Sequence, residues 1–222
     1  MRTALNGSLL LALGLAVGLS AQAQSTENGV GLVQLGQHSD DAVKDRQRQI
    51  KEELKHHDVS KADRDTLKAE SKKLDVEKQG NAIIGAYLRR LDGVGQRNGL
   101  QLSDITVSAD PRHDFAGLGL TSEQLNNVAA PITNGFVMNR DGPIYVPTGS
   151  VLYRNSLGNT EFEDFGGAVL RHEQTHAQGG GEFLAYTVQQ DVFHLFKGDF
   201  QPGNFQSLDE QLRASIERNR EE

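Results

Sequence analysis

Residues 165–190 read FGGAVLRHEQTHAQGGGEFLAYTVQQ, and His172-Glu173-Gln174-Thr175-His176 near their centre is an HExxH pattern. On an α-helix, residues four apart lie one turn above each other, so both imidazoles project from one face and can grip a single cation. Zinc suits two neutral imidazoles plus a third N, O or S ligand, which leaves a fourth position for water. Glu173 stands beside the pair, placed to take that water's proton. The pattern points to Zn2+ as cofactor, His172 and His176 as ligands, Glu173 as general base and metal-assisted peptide hydrolysis as the chemistry. Phe165, Ala168, Val169 and Leu170 make the approach to the motif apolar, as in a helix buried in a core. Burying His, Glu and His on such a helix without a shared partner would be costly, and a metal is the simplest partner.

Downstream, Gly179, Gly180 and Gly181 stop this helix, and Glu182 opens a second helical pattern through about Phe196, with Phe183, Tyr186, Val192 and Phe196 as apolar positions. Glu182 sits where the chain folds back past the histidines and is expected as third ligand. Asp191 and His194 are the alternatives. They lie roughly 13 and 18 Å farther along a helix rising 1.5 Å per residue, so the three cannot share one ion. Tyr186, one turn after Glu182, is a candidate for stabilising an oxyanion. A loop over 198–203 and a final polar helix over 208–219, capped by Ser207, complete the chain.

Upstream, Ile83, Ile84, Tyr87, Leu88 and Leu91 follow helical spacing and open the globular part near Gly80. Gly93, Gly95 and Gly99 end that helix and lack the spacing of a dinucleotide fingerprint. Strands are expected at 105–107, 135–138 and 144–146, with turn chemistry at 139–142 between the last two. Residues 144–152 are the expected edge strand for aligning a peptide by main-chain pairing. His113 and Asp114 fall in a loop containing Pro and Gly.

Residues 39–79 are charge-dense and read as a helical hairpin, 40–57 and 60–79, capped by Ser39 and Ser60. Ile50, Leu54, Leu67 and Leu74 give it only a thin apolar seam, and His56 and His57 are expected in solvent. Residues 24–38, rich in Gly, Gln and Ser, read as a flexible lead-in. Residues 1–23 read as a Sec-type signal peptide: Arg2, an apolar run over 9–19, and Ala21-Gln22-Ala23 as cleavage site. No second stretch of about 20 apolar residues follows, so no integral membrane domain is expected after cleavage.

The chain has no cysteine, which excludes disulfides, a lipoprotein anchor and a cysteine nucleophile together. Residues 1–23 contain Arg2 and no acid, so cleavage takes 23 basic residues to 22 against 30 acidic, a net charge of −8. That sign disfavours nucleic acid and anionic membrane surfaces as partners. With the signal peptide, the lack of cysteine suits a periplasmic or secreted location, and the HExxH chemistry implies a protein or peptide substrate.

Asn134-Gly135-Phe136 followed by Gly142-Pro143-Ile144-Tyr145-Val146, the helix entry from Phe165, HExxH itself and Glu182-Phe183-Leu184-Ala185-Tyr186 together resemble the zincin metallopeptidases, nearest in style to the gluzincins and minigluzincins. The strand pair is similar to that of HtpX-like and CAAX-processing peptidases, and the last segment to their ExxAD, with Tyr in place of Asp. The resemblance covers about 80–196. It implies an α+β fold: a helix, a small mixed sheet, the HExxH helix and a Glu-bearing helix, here with an N-terminal charged helical hairpin. It also implies His172, His176 and Glu182 as ligands and Glu173 as base. The five-residue gap before Glu182 is shorter than in gluzincins and equals the metzincin spacing, yet no Met-turn can follow, because the only methionines are Met1 and Met138. The expected organisation is signal peptide 1–23, lead-in 24–38, helical arm 39–79 and metallopeptidase domain 80–222. Two other functions fit the same residues: a non-catalytic zinc-binding domain acting in envelope binding or assembly through its arm, and a periplasmic chaperone.

Overall fold

A computed structural model of the protein describes residues 30–220. The signal-peptide reading and the start of the lead-in lie outside them. The described residues form an α+β structure in which helices cover a small mixed sheet. Strand β1 (Leu32–Gln34) pairs antiparallel with β2 (Ile105–Ser108). β2 pairs parallel with β4 (Ile144–Pro147), and β4 antiparallel with β3 (Phe136–Val137). The order is β1-β2-β4-β3.

Three expectations are corrected here. The lead-in contains an edge strand, and Leu35 just after it is fully buried against the core. β4, expected at an edge, is flanked on both sides; it ends at Pro147, and Ser150 caps helix α5 (Val151–Ser156) where the strand was expected to continue. β3 is the edge strand on that side.

Helix α1 (Asp40–Glu53) is capped by Ser39 and stops short of residue 57. α2 (Lys61–Gly93) then runs 33 residues without a break, so the boundary expected at Gly80 falls inside one helix. Its first half packs on α1 through Val43, Ile50 and Leu74, and its second half enters the main core through Ile83, Ile84, Tyr87, Leu88 and Leu91. Gly80 lies inside the helix as a packing position, because Leu35 occupies the space of a side chain: a Cβ there would lie 2.5 Å from Leu35 Cδ2.

α3 (Pro111–Asp114) and α4 (Ser122–Val128) bridge β2 and β3. α6 (Thr160–Ala177), α7 (Glu182–Leu195) and α8 (Pro202–Arg218) complete the fold. α8 begins six residues earlier than expected because Pro202 occupies its first turn, where the missing N–H costs nothing. α6 lies against α2 closely enough that a Cβ on Gly166 would sit 2.3 Å from Tyr87 Cζ, which accounts for the glycine pair opening the quoted stretch. No helix among the described residues is long and apolar enough to cross a membrane.

Candidate metal centre

α6 ends in a Schellman turn: Gly179 adopts φ +88°, its N–H donates to His176 O at 2.8 Å, and Gly180 N–H donates to Thr175 O at 2.8 Å. This turn reverses the chain within four residues and sets Glu182, the first residue of α7, opposite the last turn of α6. His172 Nε2 and His176 Nε2 lie 3.1 Å apart, and Glu182 reaches them at 3.7 and 3.5 Å. Zinc bonds of about 2.0–2.1 Å in a tetrahedron put ligand atoms roughly 3.4 Å from one another. The imidazole pair is close to that edge length, while the carboxylate meets the two rings with different oxygens, and one ligand atom from each residue lies within 4.8 Å of the others. Among the described residues, His172, His176 and Glu182 are the group that could hold a metal ion.

The hydrogen bonding supports the same use. His176 Nδ1 donates to the Gly180 carbonyl at 3.0 Å, which leaves its Nε2 lone pair aimed at Glu182. Both Glu182 oxygens are buried without a hydrogen-bond partner, as are Glu173 Oε2 and His172 Nδ1. Burial first, then the neighbouring His176, depresses His172 to about 3, so it is neutral at any physiological pH. Burial also works against protonation of His176, but hydrogen bonding to Glu182 and the charges of Glu173 and Glu182 outweigh it and raise that imidazole. Glu173, 3 % exposed, is pushed up to about 7, chiefly by burial and further by Glu182. A cation held by the three ligands would oppose that rise.

Around Glu173 the walls come from the sheet. A Cβ on Gly135 would stand 3.2 Å from Glu173 Cγ, so the residue preceding β3 must be small for the edge strand to pass this close to the helix. Tyr186 is buried, with its ring edge-on to His172 at 4.5 Å between centroids. Burial, then the charges of Glu182 and Glu173, hold its phenol well above the usual range, with Arg218 and Ser215 of α8 working the other way.

The alternative ligands lie elsewhere. His194 Nε2 pairs with Asp209 of α8 at 2.6 Å, and Asp191 is exposed. His56 and His57 are in solvent. Asp114 accepts from Ser108 Oγ at 2.6 Å within the α3 turn, and neither it nor His113 belongs to the metal-capable group. Sequence reasoning missed Gln189, 1 % exposed on the face of α7 that carries Ala185 and Tyr186. Its signal was a polar residue in an otherwise apolar stripe. Compared with known proteins, the chain matches no family model, no curated protein and no solved structure.

Proposed function

We propose that the protein is an exported zinc-dependent endopeptidase of zincin type. The observation that carries this reading is the convergence of His172, His176 and Glu182 ligand atoms within 4.8 Å of one another beside a buried, unpaired Glu173 carboxylate oxygen. The order of α2, sheet, α6 and α7 agrees with a zincin-like core. Export rests on the N-terminal sequence pattern.

A zinc ion bound there would polarise the scissile carbonyl and acidify a water molecule. Glu173 accepts the proton of the attacking water as its oxygen bonds to the carbonyl carbon, and gives that proton to the amine nitrogen as the C–N bond breaks. A carboxyl group whose affinity for protons is raised by burial is suited to both halves of this exchange. β3, with one side unpaired by the sheet and Gly135 against Glu173, is the strand on which an extended peptide would pair. Tyr186 stays a neutral donor, and Tyr186→Phe would measure what its hydroxyl contributes to oxyanion stabilisation.

The burial of His172 and Glu173 also favours a second reading, a closed zinc site serving the fold in a non-catalytic envelope factor. Glu173→Gln separates the two. The amide keeps the size of the side chain but cannot take the proton, so zinc content should stay and chelator-sensitive casein hydrolysis should fall by orders of magnitude. Full activity in Glu173→Gln would remove the proposed mechanism, and zinc binding without hydrolysis in either form would favour the structural site.

A further inference from the structure

The two histidines are held differently. His176 has its Nδ1 fixed by a backbone carbonyl at 3.0 Å, whereas the buried His172 Nδ1 has no hydrogen-bond partner. For Nε2 to offer a lone pair to a metal, Nδ1 must carry the proton, and an acceptor on that nitrogen fixes both tautomer and ring angle. Residues 182, 185, 186 and 189 share one face of α7 by their spacing. Glu182 is in the ligand group and the Tyr186 ring packs on His172. Gln189, on the same face, is 1 % exposed with both amide atoms lacking partners.

A buried amide left unpaired costs about 1–3 kcal/mol, and an apolar residue would suit a stripe that holds Ala185, Val192 and Phe193. Stability alone therefore does not account for glutamine here. The Gln189 amide and the Ala185 backbone lie near enough to influence the His172 ring, although neither makes a formed hydrogen bond to its Nδ1. The Ala185 carbonyl lies within α7, where it accepts the helical bond from residue 189. The Gln189 oxygen has no such commitment.

We propose that Gln189 is a positioning residue that accepts the His172 Nδ1 proton and thereby aims Nε2 at the metal. This rests on reading the three ligands as a metal site. The test uses the full mature chain, with zinc titrated against a competing chelator and 15N spectra of the histidine rings. Wild type should bind zinc and hold His172 in the Nδ1–H tautomer. Gln189→Met, which keeps the volume and loses the acceptor, should weaken zinc binding about tenfold and populate the Nε2–H tautomer. Gln189→Glu, which restores an acceptor, should recover the affinity. Wild-type zinc binding with Gln189→Met unchanged in affinity and tautomer would overturn the role of Gln189 while leaving the metal site intact. Absence of zinc binding in wild type would remove both. If Gln189→Met does not fold, the wild-type spectrum decides alone: a hydrogen-bonded Nδ1–H at His172 supports the proposal, and an Nε2–H overturns it.

Discussion

The α1–α2 arm and the α6–α7 corner are both rich in polar side chains, and they treat them in opposite ways. In the arm, Arg46 grips Glu70 with two bonds of 2.7 and 2.9 Å, Gln47 donates to Asp75 at 2.6 Å, and Arg64 satisfies the Leu54, His56 and Val59 carbonyls at 2.9, 2.6 and 3.2 Å. Its charges are largely in solvent, where such pairs are cheap to form and contribute little. Of the eight buried side-chain atoms without a partner among the described residues, six belong to His172, Glu173, Glu182 and Gln189, and none to the arm. Unpaired buried groups persist where something other than the fold uses them. The arm pairs its polar groups around a modest seam, and the corner gathers a group that could hold a metal ion.

Ile50→Ala probes the arm side of this comparison. Ile50 is 1 % exposed in a small cluster with Val43 and Leu74, so truncation should cost about 2–5 kcal/mol in urea-monitored stability of the arm. Zinc content should not change. A parallel loss of zinc would mean that α2, which runs through both regions, couples them.

Glu182→Ala probes the corner. Zinc affinity should drop about tenfold or more with loss of a ligand, a difference of roughly 1.4 kcal/mol per tenfold. His194→Ala and Asp191→Ala should leave affinity unchanged, and zinc loss in His194→Ala alone would reassign the third ligand.

The smallest effect is a pH dependence at the α7–α8 seam. Burial works to raise Asp209, but hydrogen bonds from His194 and Gln190 outweigh it and hold the carboxyl below its ordinary value. A depressed carboxylate adds stability that is complete above its unfolded value of about 4 and is lost as pH falls through the folded value. Thermal melts from pH 5 down to 2.5 should therefore fall more steeply for wild type than for Asp209→Asn. Equal slopes would show that the carboxylate contributes nothing to the seam.

The corner was largely legible because its information is local. HExxH gives spacing on one helix, the three glycines give the reversal, and Glu182 follows directly. Strands β2 and β4 were visible as β-branched runs, but the place of β4 inside the sheet depends on pairing with residues 39 positions away, which no local pattern encodes. β1 was hidden because a four-residue run between Gly31 and Gly36 looks like a lead-in, and the segment is anchored by Leu35 meeting Gly80 across the fold. The same contact makes Gly80 a packing site, where the sequence read it as a boundary. The burial of Gln189 was unreadable because it depends on α7 turning that face into the fold.

The most direct test of the account is the metal content of the mature protein, purified without chelator and measured by elemental analysis alongside His176→Ala. One zinc per chain in wild type and none in His176→Ala is the predicted result. A metal-free wild type that also fails to take up zinc on titration would contradict it.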